Sequence, residues 1–322
     1  LIALKKTGGS DLHLKVHNRP RIRIHGDLKT LDVPVLTAEE TERIAQEVMP
    51  ESAKKIFAET NEADFSYALE NAGRFRVNVF RQMGVVGLVF RIIITGAPAL
   101  EDLEVPLVLK GLSLEPRGLV LVTGPTGSGK TTTMAGMVNE INKHKNVNIV
   151  TIEDPVEIVH RDNLAIISQR EIGSDTTDFH SALRAAMRQD PDVILIGEMR
   201  DVETVRTAIN AAETGHFVLS SLHTLNAQET ISRIIDFFPP SEQQQVRLAL
   251  AGILKGVVCQ RLVPKADGSG RVAAVEIAVN TGRITEAIED ERKSNTITKI
   301  ISESSYDNMQ TFDQHLLSMY ET

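Results

Sequence analysis

Alternating apolar and polar positions mark the first hundred residues as a small unit of strands and helix. In "DLHLKVH" (11–17), Leu12 and Leu14 share one face, and "RIRIHG" continues the alternation as far as a glycine. "TAEETERIAQEVM" begins with Thr37 and Glu40, which have the spacing of a helix capping box. Three more alternating runs follow: "DFSYAL", "RFRVNVF" and "GLVFRII". The pattern predicts an antiparallel sheet packed on helices.

After a stretch rich in proline and glycine, the pattern changes to continuous apolar runs. "GLVLVTGP", "VNIVTIED", "DVILIGE" and "FVLSSLH" are separated by segments with helical periodicity. Buried strands that alternate with helices indicate a parallel sheet covered on both faces. We therefore predict an N-terminal domain at 1–97, a linker at 98–106 and an α/β domain at 107–322. Ligands of such sheets bind beyond the carboxyl ends of the strands.

Composition excludes several classes of protein. The chain has 322 residues, a net charge of −8 and a single cysteine, Cys259. One cysteine excludes an intramolecular disulfide and a cysteine-built zinc site, and it fits a reducing cytosol. The acidic charge argues against nucleic acid as a partner. No apolar run approaches the length of a membrane span, so we expect no transmembrane segment.

The segment "GPTGSGKT" (124–131) matches the phosphate-loop pattern G-x-x-x-x-G-K-[ST], with a strand before it and an amphipathic helix after it. Backbone amides and the helix N-terminus of such a loop attract phosphate. We expect Lys130 to reach the β- and γ-phosphates of ATP and the Thr131 hydroxyl to ligate Mg²⁺. The alternative is a glycine-rich turn with an exposed lysine. The predicted nucleotide-binding residues here are Gly124, Pro125, Thr126, Gly127, Ser128, Gly129, Lys130, Thr131 and Thr132.

A carboxylate follows the buried run in "PDVILIGEMRD". Glu198 is predicted to lie near the phosphate loop, because both follow strands of one sheet. There it would hold the metal, directly or through water, or polarise the attacking water. The alternative is a carboxylate that caps the N-terminus of the next helix, "VETVRTAINAAE".

Two further segments place polar side chains beside strands. "TIEDPVE" contributes Glu153, Asp154 and Glu157, which repel one another unless a cation is near; the alternative is a solvated acidic turn. "TGHFVLSSLH" has His216 before a strand and His223 after it. We expect His223 to hydrogen-bond the γ-phosphate. His216 either binds nucleotide or only holds the start of the strand.

Four motifs, "GPTGSGKTTT", "TIEDPVE", "DPDVILIGEMRD" and "AAETGHFVLSSLHT", together resemble the secretion-type ATPases that drive type IV pili and type II secretion. They correspond to that family's Walker A motif, Asp box, Walker B motif and His box. "GGSDLHL" and "GRFRVNVFRQ" also match, so the resemblance covers nearly the whole chain. It implies a small PAS-like N-terminal α+β domain, a RecA-like P-loop ATPase domain with a mostly parallel sheet and a helical C-terminal part, and a homohexamer.

The resemblance also implies roles for individual residues. Glu198 matches the Walker B glutamate, and the catalytic glutamate of the Asp box corresponds by position to Glu157, with Glu153 as second choice. On sequence alone the arginines of "RFRVNVF" and "VFRII" are solvated strand residues. Arginines in this region of the family meet the phosphates of bound nucleotide, and Arg76 and Arg91 match best. ATP binding would then close the two domains.

Within the family, the length and layout resemble the PilT/PilU-like pilus-retraction branch. The four-cysteine insertion and additional N-terminal domain of assembly ATPases are not seen. The branch's Ala-Ile-Arg-Asn-Leu-Ile-Arg-Glu pattern is replaced by "GRITEAIEDERKS", while "QRLVPKADGSGR" and "NMQTFDQHLLSMY" favour the PilU side. The resemblance implies a retraction motor for twitching motility at the cytoplasmic face of the inner membrane. Its partners would be the pilus platform protein and, as a second candidate, a paralogous pilus motor.

Three other functions compete with this interpretation. A pilus-assembly or type II secretion ATPase would use the same chemistry. A RecA-like DNA translocase would need a basic stripe and stacking aromatic residues, whereas the chain is acidic and has no tryptophan. A nucleotide-binding scaffold without turnover would not need the full set of carboxylates.

Overall fold

The computed structural model describes residues 1–24, 26–268 and 270–321. His25, Ser269 and Thr322, which fall within the segments and domains predicted above, lie outside the described residues. The chain forms two compact units, Leu1–Thr95 and Gly96–Thr322. Buried apolar side chains cluster separately within each unit.

The N-terminal unit is an antiparallel sheet with helices, as the alternating pattern predicts. Neighbouring strands follow the order β3-β2-β1-β6-β5-β4. The strands are β1 (Asp11–Leu14), β2 (Arg21–Ile24), β3 (Asp27–Thr30), β4 (Glu62–Leu69), β5 (Gly73–Gln82) and β6 (Val85–Thr95). The helices are α1 (Ile2–Lys6), α2 (Ala38–Val48) and α3 (Glu51–Thr60).

Local sequence explains these elements. Along β5, Phe75, Val77 and Val79 are fully buried, and the residues between them are more exposed. The capping box at the start of α2 is confirmed. The amide of Glu40 donates to Thr37 Oγ1 at 3.2 Å, and the amide of Thr37 donates to Glu40 Oε2 at 2.9 Å.

The C-terminal unit contains the mostly parallel sheet. Its strands follow the order β10-β8-β11-β12-β7-β13-β14, and only the β13–β14 pairing is antiparallel among the described strands. The strands of this sheet are β7 (Gly118–Thr123), β8 (Asn148–Glu153), β10 (Ile166–Glu171), β11 (Val193–Ile196), β12 (Phe217–Leu222), β13 (Leu254–Pro264) and β14 (Arg271–Val279). The two-residue strand β9 (Ile158–Val159) is not part of it. The two units together confirm the predicted fold class.

Helices accompany this sheet. They are α4 (Val108–Ser113), α5 (Lys130–His144), α6 (Phe179–Ala186), α7 (Val202–Glu213), α8 (Ala227–Asp236), α9 (Pro240–Ile253), α10 (Gly282–Glu289), α11 (Ile297–Glu303) and α12 (Phe312–Glu321). Short 3₁₀ helices lie at Glu101–Leu103, Glu291–Thr296 and Ser305–Asp307.

Burial on both faces of the sheet explains the continuous apolar runs. Leu119 and Leu121 of β7 join one hydrophobic cluster, whereas Val120 and Val122 join another. Because side chains alternate along a strand, the two clusters cover opposite faces of the sheet. A strand in this position has no polar face, and its sequence shows none.

The segment predicted as a linker, 98–106, lies within the second compact unit. Leu100 and Val105 belong to one of its hydrophobic clusters, and a Cβ built on Gly136 of α5 would lie 2.9 Å from Leu100 Cδ2. Glycine at this position lets the segment approach the helix closely.

Four parallel strands bring their carboxyl ends to one edge. β7 ends at Thr123, β8 at Glu153, β11 at Ile196 and β12 at Leu222. Their registers place these ends side by side, with Ile196 opposite both Ile152 and Ser220. The chemical motifs that follow these strands therefore meet at this edge.

Candidate functional site

The phosphate loop links β7 to α5, and its backbone requires glycine. Gly124 has φ +141° and Gly129, which caps α5, has φ +89°. A Cβ on Gly124 would lie 2.3 Å from the Gln260 carbonyl oxygen, and one on Gly129 would lie 2.7 Å from Gln260 Nε2. A larger residue at Gly124 would have to displace the backbone of β13, whereas one at Gly129 would have to displace the Gln260 side chain.

Lys130 lies at the first turn of α5 with its amine folded onto the loop. Its Nζ donates to the carbonyl oxygens of Gly124 at 2.8 Å and Pro125 at 3.2 Å. Burial lowers the pKa of Lys130, while the charges of Glu198 and Glu157 act to raise it. The amine therefore lies within electrostatic reach of both carboxylates.

Gln260 of β13 supports the phosphate loop through hydrogen bonds of its side-chain amide. Its buried amide donates from Nε2 to the Ser128 carbonyl oxygen at 2.8 Å, and its Oε1 accepts from Thr133 Oγ1 at 2.7 Å. The Ser128 hydroxyl is buried and finds no hydrogen-bond partner among the described residues. An unpaired donor inside a glycine-rich loop at a helix N-terminus fits a phosphate oxygen.

Glu198 follows β11 and faces two basic side chains. It forms an ion pair with Arg200, and His223 Nε2 lies 3.1 Å from its Oε2. The N-cap of α7 is instead Asp201, whose Oδ1 accepts from the Thr204 amide at 2.8 Å. The alternative interpretation of Glu198 as the helix cap is therefore wrong.

The carboxylates of "TIEDPVE" lie in different environments. Glu153 is 8% exposed and accepts from Thr151 Oγ1 at 2.6 Å and Gln169 Nε2 at 3.1 Å. Burial raises the pKa of Glu153, and these two hydrogen bonds only partly oppose it. Asp154 and Glu157 are exposed. The segment is thus not a uniformly solvated acidic turn.

One cavity of about 630 Å³ brings the predicted groups together. It is lined by the phosphate loop from Thr126 to Thr132 and by Glu153, Asp154, Glu157, His160, Glu198, Arg200, His223, Leu262 and Arg271, among others. This volume falls in the range of small-molecule sites. A lysine, several carboxylates and two histidines therefore line one cavity.

His216 lies away from this cavity. It precedes β12, whereas His223 follows that strand, so the two rings are at opposite ends of it. His216 Nδ1 makes a hydrogen bond of 2.9 Å with the Ala211 carbonyl oxygen of α7. This geometry supports the interpretation that His216 holds the start of the strand.

Arg76 and Arg91 belong to the N-terminal unit and stand directly opposite each other in the β5–β6 register. Arg76 Nε lies 3.5 Å from Asp64 Oδ1, and Arg91 Nε donates to Asp11 Oδ1 at 2.8 Å. Burial raises the pKa of Asp11, but hydrogen bonds from Ser10 and Arg91 outweigh it and hold that pKa low. The arginine side chains are 43% and 67% exposed, and their contact with nucleotide stays a prediction.

Several lining or supporting residues were not predicted from sequence. Arg200 could have been predicted, because it lies two positions after Glu198, just beyond the end of the same strand. Gln260 and Arg271 carry no local signal, because the pairing of β13 with β7 and β14 brings them to the loop.

Together, the parallel sheet, the phosphate loop and the converging carboxylates define a P-loop nucleotide-hydrolysing protein. The family model for the type II/IV secretion system protein matches residues 99–317. The chain belongs to the type II/IV secretion system protein family.

Comparison with individual proteins narrows the class to PilT-like ATPases. The chain is 44% identical to a twitching motility protein of Neisseria gonorrhoeae, over 93% of this chain and 80% of that protein. It is also 44% identical to the type IV pilus retraction ATPase PilT of Pseudomonas aeruginosa, over 97% and 90%. A crystal structure of the pilus retraction motor PilT with bound ADP superposes with a TM-score of 0.90 at 45% identity, covering 98% of this chain and 90% of that one. The chain is a PilT-like ATPase, which confirms the predicted enzyme class and its nucleotide ligand.

Among the described residues, no helix combines the length and the apolar character that a membrane span requires.

Burial of His160 predicts a pH-dependent stability. Burial lowers its pKa to about 4, from an ordinary value of 6.5. Between those values the unfolded chain binds the proton more readily than the folded chain, so His160 lowers the free energy of unfolding as pH falls. Between pH 7 and pH 5, we expect the free energy of unfolding to fall by about 1–2 kcal/mol less in His160→Gln than in the unchanged chain. Urea unfolding at both pH values measures this, and equal losses would contradict it.

Proposed function

We propose that this chain hydrolyses ATP to power type IV pilus retraction in twitching motility. The observation that carries the proposal is the single cavity in which the phosphate loop and Lys130 face Glu157 and Glu198. Likeness to PilT over almost the whole chain supports the retraction direction.

In this proposal the loop residues 124–132 bind the phosphates of ATP. Loop amides, the Ser128 hydroxyl and the amine of Lys130 would contact phosphate oxygens, so Lys130 exchanges its loop carbonyl partners for the β- and γ-phosphates. His223 would hydrogen-bond the γ-phosphate. Its ring already lines the cavity beside Glu198.

Thr131 and Glu198 are the residues that would hold Mg²⁺. The hydroxyl of Thr131 lies at the start of α5, and the carboxylate of Glu198 lines the same cavity. Mg²⁺ prefers oxygen ligands and is usually held by few side chains together with nucleotide phosphates, so this donor set fits it. Bound there, the ion would neutralise charge on the phosphates.

Glu157 is the preferred catalytic base. It is exposed on the cavity wall, where a water molecule can reach its carboxylate, and it lies within electrostatic reach of Lys130. Glu157 would accept the proton of the water that attacks the γ-phosphorus while the bond to the bridging oxygen breaks. Glu153 remains the second choice, since its carboxylate is enclosed by Thr151 and Gln169.

The wider assembly is also part of the proposal. Arg76 and Arg91 would meet the phosphates when ATP draws the N-terminal domain, at 1–97, toward the ATPase domain at 107–322. The working form would be a homohexamer on the cytoplasmic face of the inner membrane. It would act on the pilus platform protein, with a paralogous pilus motor as a further partner.

Removing Lys130 and neutralising Glu198 should have different effects. Lys130→Ala removes the charged contact with phosphate, so we expect hydrolysis to be abolished and ATP binding to be sharply weakened. Glu198→Gln keeps the shape and loses the charge, so ATP should bind while turnover falls about 100-fold. Titration with a fluorescent ATP analogue and a phosphate-release assay separate the two effects. Equal loss of binding in both variants would contradict the role proposed for Glu198.

Arg76→Ala should lower turnover in the full chain without weakening its folded state. Arg91→Ala should also lower turnover. In addition it should lower the melting temperature, because Arg91 pairs with the buried Asp11. Arg19→Ala, which breaks only an exposed pair with Asp32, is the matched control. ATPase rates and thermal melts of the three variants test this. Unchanged turnover in both Arg76→Ala and Arg91→Ala would contradict the proposed contact of these arginines with nucleotide.

Deletion in the host tests the direction of the motor. We expect a deletion strain to keep surface pili, or to carry more of them, and to lose twitching. Complementation with the unchanged chain should restore twitching, and complementation with Lys130→Ala should not. A strain without pili that regains them on complementation would identify an assembly motor instead.

A further inference from the structure

The segment that carries Glu157 is held by side chains of β10. We propose that Gln169 and Glu171 are positioning residues, which fasten the backbone of residues 156–160 so that Glu157 faces the phosphate loop. The inference rests on the proposed function of Glu157 as catalytic base.

Gln169 makes three hydrogen bonds toward this segment and the strand before it. Its Nε2 donates to the Ile158 carbonyl oxygen at 2.9 Å and to Glu153 Oε1 at 3.1 Å. Its Oε1 accepts from the His160 amide at 2.8 Å. A single amide side chain thereby ties the end of β8 to two points of the segment beyond it.

Glu171 holds the same segment closer to β8. Its Oε2 accepts from the Val156 amide at 3.1 Å, and its Oε1 accepts from Ser174 Oγ at 3.2 Å. Glu171 is buried and lies opposite Glu153 in the parallel register of β10 and β8. Because Gln169 and Glu171 are two positions apart on a strand, their side chains share one face.

The anchored backbone groups are evenly spaced. They belong to Val156, Ile158 and His160, so every second residue of the segment is bound to β10. Glu157 lies between the first two anchors and lines the cavity. Two fixed points, one on each side, restrict the backbone from which its carboxylate projects.

The anchors are expected to matter for turnover more than for nucleotide binding. Neither Gln169 nor Glu171 lines the cavity, and the phosphate loop is held instead by Gln260. A base displaced by about 1 Å can lose up to about 100-fold in rate, because proton transfer depends on geometry. Loss of an anchor should therefore lower kcat and leave the affinity for nucleotide nearly unchanged.

The test uses Gln169→Met in the full chain, because methionine keeps the size and removes all three hydrogen bonds. We expect kcat to fall about 10- to 100-fold, with KM for ATP and the affinity for ADP within about twofold of the unchanged chain. Gln169→Glu keeps the acceptor for His160 and loses both N–H donors. The Gln169→Glu variant should also lower kcat, and it replaces Gln169→Met in the test if the methionine variant does not fold.

Asn148→Leu is the matched control. Asn148 begins β8, and its Nδ2 donates to the carbonyl oxygens of Gln189 at 2.8 Å and Asp190 at 3.0 Å, far from the carboxyl end of the strand. The Asn148→Leu variant therefore loses two comparable hydrogen bonds and leaves the contacts of the 156–160 segment unchanged. We expect a lower melting temperature with kcat unchanged. A similar loss of kcat in this control would overturn the positioning role, since it would show that general loosening of the sheet suffices.

Glu157→Gln and the double variant Glu157→Gln/Gln169→Met complete the experiment. If Gln169 acts through Glu157, the double variant should turn over no more slowly than Glu157→Gln alone. Normal turnover in Glu157→Gln would refute the proposed base, whatever Gln169 does. A slow Glu157→Gln together with normal turnover in both Gln169 variants would refute the positioning inference alone.

Discussion

The parallel pairing of β8, β11, β12 and β7 decides where the groups of the site lie. Backbone hydrogen bonds fix the register, which sets Ile196 beside Ile152 and Ser220 and so aligns the strand ends. A slip of one residue would exchange the side chains that pack on the two faces of the sheet and would move the strand ends out of alignment. Close packing on both faces therefore favours this register, which places Glu153, Glu198, His223 and the phosphate loop at one edge.

Electrostatics then distinguish carboxylates that are close in sequence or space. Glu198 is partly exposed and faces Arg200 and His223, so its charge is paired with the Arg200 guanidinium. Glu153 is enclosed by neutral hydrogen-bond donors, and burial raises its pKa. Glu157 is open to the cavity. One sheet edge thus holds a paired, an enclosed and an open glutamate, which suits groups with different tasks.

Elements with a strong local signal were predictable. The runs that became β7, β8, β11 and β12 are apolar throughout because both faces are covered, and the capping box of α2 depends on two residues three apart. Elements without such a signal were missed. Each residue of β3 belongs to the exposed class, and β13 carries Lys255, Gly256 and Gln260 among its apolar residues. Periodicity cannot identify strands whose burial depends on their neighbours.

The sequence by itself determined the phosphate loop, the strand ends that carry carboxylates and the class of chemistry, because each depends on residues adjacent along the chain. Only the tertiary structure decided that Glu198, at the end of β11, lies beside His223, at the end of β12. It also decided that Gln260 supports the loop and that Gln169 holds the segment of Glu157. These contacts join residues from different strands and loops, and they form only after the order and register of the sheet are set.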